Sequence, residues 1–200
     1  MLAITLVGQG AETVARALDL GAPVVLGPDA VDLFAEGDVD ALKARVAEAA
    51  EARALDFAVQ AAENRKKRLL IADMDSTIIN VECLDELADF AGVKAEVSEI
   101  TERAMRGELA FEGALRERVG MLKGLSVDAL QSCYDQRVQL NPGARTLVTT
   151  MAKHGARCAL VSGGFTFFTS RVAEAAGFHL NRANTLIELD GALTGEVGDP

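Results

Sequence analysis

The chain has 200 residues, half of them hydrophobic and a quarter charged, with a formal net charge of −10. That length suits one medium domain with a small appendage, and with aromatics at only 4% the core must be aliphatic. The acidic balance excludes a surface built for nucleic acid or anionic membranes, so any phosphate-bearing ligand has to be held by local groups.

The start, "MLAITLVGQGAE", has no basic n-region and too short an apolar run for a signal peptide. No apolar segment approaches membrane-spanning length. Three cysteines, Cys83, Cys133 and Cys158, without CxxC spacing argue against disulfides and a zinc site, and fit a reducing cytosol. Cys158 lies inside an apolar run and reads as a small core residue. A cytoplasmic location is expected.

"LAITLVG" reads as a strand, "AETVARALDLG" as a helix closing at Gly21, and "PVVLG" as a second short strand. The Ala-rich stretch "VDALKARVAEAAEARALDFAVQAAENRKK" reads as one long helix, with Arg65, Lys66, Lys67 and Arg68 at a helix C-terminus. Residues 1–65 are therefore expected to form a small α/β module and a linker helix. No pattern there suggests chemistry, and a packing or homodimerisation role is the expectation.

"RLLIA" at 68–72 and "RCALV" at 157–161 are continuous apolar runs, as in strands buried on both faces of a parallel sheet. "NPGARTLVTTMAKHG" between them reads as a helix, with Asn141 as cap, Pro142 in the first turn and Gly155 at the stop. "SGGF" and a helix through about Ala176 follow the second strand. Strand, Gly-rich turn and helix form the doubly wound unit, whose site lies at the carboxyl ends of the strands.

The insertion at 82–139 is helical in pattern and punctuated by Gly92, Gly107 and Gly124. Placed after a strand's carboxyl end, it reads as a cap over the site. Residues 66–81 and 140–200 then make the core. "NTLIELDGALTGEVGDP" carries a hairpin signal at Asp190–Gly191.

In "LLIADMDSTIIN" two carboxylates, Asp73 and Asp75, end an apolar strand. A lone Asp there commonly closes a turn. Two of them, facing one side of an extended segment and followed by Ser76 and Thr77, suit a hard cation such as Mg²⁺. An aspartate can also attack phosphorus, and a second one of raised pKa can serve the leaving oxygen.

"DMDST" resembles the first motif of the haloacid dehalogenase superfamily of aspartate-nucleophile phosphatases, and "VSGG" at 161–164 is similar to the second. "DMDSTIINVECLDELA", "AMRGELAFEGALRERVGMLKGL" and "VSGGF" narrow the resemblance to its phosphoserine phosphatase branch, over roughly 66–200. The resemblance implies a Rossmann-like phosphatase core with an inserted cap, Mg²⁺ as cofactor, O-phosphoserine as substrate, and the last step of serine biosynthesis. It implies that Asp73 is nucleophile and metal ligand, and Asp75 general acid/base with its carbonyl on the metal. Glu82 would take the substrate ammonium, Arg118 its carboxylate, and Ser162 and Gly163 the phosphate, while Met105 and Phe111 close over them. Phe111, Leu115 and Arg118 fall at i, i+4 and i+7, one helical face. For Arg118 alone, a solvated helix charge is the competing reading.

The family pattern also has a lysine and a Gly-Asp-Gly loop downstream, and neither stands within these 200 residues. Gly198–Asp199 is too close to Ser162, and lacks a preceding strand, to be that loop. The expectation is a C-terminally shortened form, incomplete at the end of its sheet and weakly active or inactive. The alternatives are a related phosphatase or phosphotransferase on another small phosphomonoester, and a non-catalytic binding module.

Overall fold

The computed structural model describes residues 1–198, so the Asp199 of the Gly198–Asp199 pair lies outside the described residues. The chain divides into two compact units, Met1–Lys67 and Arg68–Pro200.

The first unit runs β1 (Leu2–Val7), α1 (Ala11–Ala17), β2 (Val24–Gly27), β3 (Ala30–Ala35), α2 (Val39–Glu51) and β4 (Asp56–Ala61). Its sheet has the order β2-β3-β1-β4, with every neighbouring pair antiparallel. Ile4, Leu6, Leu33 and Val46 are wholly buried in its core.

The long linker helix does not form. Asp38 caps α2 by accepting from the Ala41 N–H at 2.9 Å, and the helix ends at Glu51. Ala54 then adopts φ 51°, and Leu55 N–H donates back to the Ala50 carbonyl at 3.0 Å. The residues beyond become β4, paired with β1. Phe57 and Val59 alternate with exposed Asp56, Ala58 and Gln60, a period-two pattern that pairing with β1 exploits and Ala-rich helix propensity cannot oppose. The basic cluster accordingly ends no helix. Arg65 instead bridges to Asp32 at 2.7 Å and donates to Thr5 Oγ1 at 3.0 Å, both on strands far away in sequence.

The second unit contains β5 (Leu69–Ala72), α3 (Cys83–Ala91), α4 (Lys94–Met105), α5 (Phe111–Gly120), α6 (Val127–Arg137), α7 (Ala144–Lys153), β6 (Arg157–Phe165), α8 (Thr166–Ala176), β7 (Leu180–Leu189) and β8 (Ala192–Gly198). The sheet order is β5-β6-β7-β8, parallel across the first three strands. β7 and β8 form the expected hairpin, with φ of 51° at Asp190 and 80° at Gly191, the left-handed pair that such a two-residue turn needs.

β5 is not buried on both faces. It is an edge strand, and Leu69 and Ile71 stand 54% and 62% exposed. Asn141 does not cap α7, which starts at Ala144 after Gly143. Its side-chain amide donates to the Thr77 and Ile79 carbonyls, at 2.9 and 3.0 Å, and braces the loop after β5. The four helices α3–α6 share one continuous core with the sheet, through Leu87, Leu122, Leu130, Leu160 and Phe168. The hairpin is stitched to them where Gly124 N–H donates to the Leu193 carbonyl at 2.8 Å. Among the described residues no helix is long and apolar enough to cross a membrane.

Candidate active site

The chain leaves β5 through a tight turn anchored on Met74, which is wholly buried. Its carbonyl accepts from the N–H groups of Thr77, Ile78 and Ile79 at 3.3, 2.9 and 3.0 Å. With Met74 pointing inward, Asp73 and Asp75 are carried on the other side of the extended segment. Ser76 takes φ 49° and donates its N–H to the Val81 carbonyl at 3.1 Å, which returns the chain to the start of α3.

Asp73 is exposed, and one carboxylate oxygen accepts from the Met74 N–H at 2.8 Å. Asp75 lies deeper, with Oδ1 accepting from the Cys83 N–H, at the first residue of α3, at 3.1 Å. Burial pushes the Asp75 carboxyl above its ordinary value. The hydrogen bonds from Cys83 oppose that rise, and the nearby charges of Glu82 and Asp73 reinforce it. The two acids therefore differ in setting: Asp73 is open to the cavity, while burial raises the pKa of Asp75. Glu82 is exposed and accepts from the Ser76 hydroxyl at 2.6 Å.

β6 runs on through the Gly-rich segment to Phe165. Ser162 Oγ accepts from the Gly164 N–H at 2.9 Å, which leaves its own proton free to donate to an anion. On α5, Arg118 donates to the Ala114 carbonyl at 3.2 Å and to Thr101 Oγ1 at 3.3 Å, so its guanidinium is steered across α4.

One cavity, of ≈ 220 Å³, is lined by Asp73, Asp75, Glu82, Phe111, Arg118, Ser162 and Gly163. Met105 is absent from its walls and stands 84% exposed at the end of α4. Leu84, Gly164 and Phe165 also line the cavity. Gly164 is the most telling of these, because a Cβ there would fall 2.9 Å from Asp75 Oδ2 and 3.1 Å from Ser162 Oγ. A Cβ on Gly163 would meet Phe111 Cζ at 3.0 Å, so α5 reaches the Ser162–Gly164 turn itself. The "SGG" string was the available signal for both glycines; Asp75 and Phe111, which crowd them, come from segments far off in sequence.

Among the described residues no three His, Cys, Asp or Glu side chains gather into a metal cluster. Asp73 and Asp75 nonetheless offer the oxygen donors that a hard divalent cation would take.

The model of the haloacid dehalogenase-like hydrolase family matches residues 70–200. The phosphoserine phosphatase of Polaromonas sp. is 51% identical over 133 residues, 66% of this chain and 56% of that protein. The phosphoserine phosphatase of Archaeoglobus fulgidus is 45% identical over 169 residues, 84% of this chain and 48% of that protein. The chain thus spans about half the length of these curated relatives. Among solved structures, a phospho-aspartyl intermediate analogue of phosphoserine phosphatase superposes with TM-score 0.62 at 40% identity, covering 68% of this chain and 64% of that one. A HAD-family hydrolase from Salmonella enterica serovar Typhi superposes with TM-score 0.82 at 26% identity, covering 100% of this chain and 73% of that one.

Proposed function

The chain belongs to the haloacid dehalogenase-like hydrolase family, and from that premise we propose that it serves hydrolysis of O-phospho-L-serine to L-serine and phosphate. The carrying observation is the cavity that gathers Asp73, Asp75 and Ser162 with Glu82 and Arg118. A phosphate, an ammonium and a carboxylate are the three charged groups of phosphoserine. The cavity offers a hydroxyl with its turn, an acid, and a guanidinium able to bind a carboxylate through two N–H groups. The names of the relatives support the same substrate.

In the reaction an Asp73 oxygen bonds to phosphorus and the bond from phosphorus to the serine oxygen breaks. Asp75, whose raised pKa favours the acid form, gives its proton to that oxygen. A water then attacks the aspartyl-phosphate and passes a proton back to Asp75, which frees phosphate and restores both acids. Ser162 and the Gly163 N–H hold the phosphoryl oxygens throughout. Mg²⁺, held by Asp73 and Asp75, would supply the positive charge that offsets repulsion between carboxylate and phosphate. Phe111, 66% exposed against Gly163, belongs to the same cap wall, and closure of α4 would be needed to bring in Met105. The buried, free cysteines Cys83, Cys133 and Cys158 support a reducing, cytoplasmic setting.

The test is phosphate release from O-phospho-L-serine, set beside O-phosphoethanolamine, which lacks the carboxylate. The wild type should prefer phosphoserine, and Asp73→Asn should lose at least about a thousandfold in rate. Equal turnover of the two compounds would reassign the substrate to another small phosphomonoester. An active Asp73→Asn enzyme would remove the aspartyl-phosphate route.

A further inference from the structure

The pairing of β6 with β7 breaks at the phosphate-side turn. Val161 stands opposite Arg182 and Phe165 opposite Asn184. Three residues of β6, Ser162, Gly163 and Gly164, therefore face the single residue Ala183. Such a bulge leaves backbone groups without their ladder partners, and each of these must bond elsewhere. The Gly163 carbonyl finds its partner in a side chain: Asn184 Nδ2 donates to it at 2.8 Å. On the other side of the same peptide plane, the Gly164 N–H donates to Ser162 Oγ at 2.9 Å. In a trans peptide the C=O and the N–H point in opposite directions, so the plane is gripped from both sides.

From this we propose that Asn184 is a positioning residue, which orients the Ser162 hydroxyl toward phosphate by fixing the Gly163–Gly164 peptide. Asn184 does not line the cavity and touches no reacting group. It acts through one rigid peptide. If the carbonyl lost this donor, the plane could rotate, and the N–H that occupies a lone pair of Ser162 Oγ would swing with it. The hydroxyl would then no longer be held with its proton directed to the anion. The inference rests on the reading of Ser162 as a phosphate ligand, but not on phosphoserine as the substrate.

The experiment is calorimetric titration of the full chain with inorganic phosphate, which needs no turnover. Asn184→Ala should weaken phosphate binding about fivefold, the loss expected for one hydrogen bond. Asn184→Leu, of similar size without the donor, should do the same. Ser162→Ala should also weaken binding, and adding Asn184→Ala to it should cost little more, because both act through one hydroxyl. Unchanged affinity in the Asn184 variants, or effects fully additive with Ser162→Ala, would overturn the proposal. A merely structural asparagine would move the melting temperature without that coupling. If the variants do not fold, the wild type decides: its Asn184 side-chain amide resonances should shift on phosphate addition, and their invariance refutes the role. Phosphate binding with this coupling, but turnover of O-phosphoethanolamine equal to that of phosphoserine, would sink the substrate proposed above and leave this inference standing.

Discussion

Placing a methyl group on Gly164 tests whether the Asp75 carboxyl and the Ser162 hydroxyl converge as described. Gly164 lies in the extended run of β6 and has no left-handed φ, so Ala is compatible with its backbone. The new Cβ would fall 2.9 Å from Asp75 Oδ2 and 3.1 Å from Ser162 Oγ, against 3.4 Å for ordinary contact. Relief therefore requires shifts of about 0.5 Å and 0.3 Å (3.4 less 2.9, and 3.4 less 3.1). Both obstructing atoms are side-chain ends, so the reacting groups yield before the main chain does. A misplacement of 1 Å costs on the order of a hundredfold in rate, so half that distance should cost about tenfold. With Oδ1 held by the Cys83 N–H, the oxygen that moves is Oδ2, so under the proposed acid role of Asp75 the loss should appear in kcat more than in KM. The assay is steady-state phosphate release from O-phospho-L-serine, with the thermal midpoint measured in parallel. A Gly164→Ala enzyme with wild-type kcat would refute this geometry of the acid and the hydroxyl.

Two further outcomes concern charge. Asp75 has its pKa raised in the folded state by burial, so its folding contribution is complete below the ordinary carboxylate value of 3.8 and is lost as pH rises through the raised value. Asp75→Asn should therefore melt higher than wild type at neutral pH, with the difference vanishing in acid, while phosphatase activity is lost; a thermal melt series across pH checks it. Asp32 is the opposite case. Burial would raise its pKa, but hydrogen bonds from Arg65 and Thr5 and the Arg65 charge outweigh that and hold it below 3.8. Its contribution is present above 3.8 and disappears as pH falls through the lowered value. Asp32→Asn should destabilise the first unit by about 2 kcal/mol at neutral pH, read from the urea midpoint, because a buried charge-assisted bond is lost.

Some of this fold was legible residue by residue. β1 and the Asp190–Gly191 turn rest on local pattern, and both stand where the pattern puts them. The helices of the insertion follow their apolar spacing and stop near Gly92, Gly107 and Gly124, each with positive φ. The failures share a cause. Residues 52–61 favour helix by composition, and only the edge of β1 makes them a strand. β3, "AVDLFA", has no clear local signature because Asp32 interrupts its apolar run, and the partner that makes Asp32 tolerable, Arg65, is 33 residues away. Asn141 has the composition of a cap but spends its amide on the loop after β5.

The same division holds at the site. The sequence by itself determined which groups are available: two acids two residues apart after a strand, a serine followed by two glycines, and an aromatic and an arginine on one helical face. These are short-range properties, carried by spacing and side-chain chemistry, and they were enough for the family resemblance. Only the tertiary structure decided how these groups are brought together. Asp75 lies deeper than the exposed Asp73, and that burial, set by packing against the start of α3, raises its pKa. Gly164 must be small because two side chains from separate segments meet above it. Asn184 holds the Gly163 carbonyl because a bulge in β6 leaves that carbonyl without a ladder partner. Desolvation, close approach and ladder pairing are all set by segments distant along the chain, and no local window of sequence contains them.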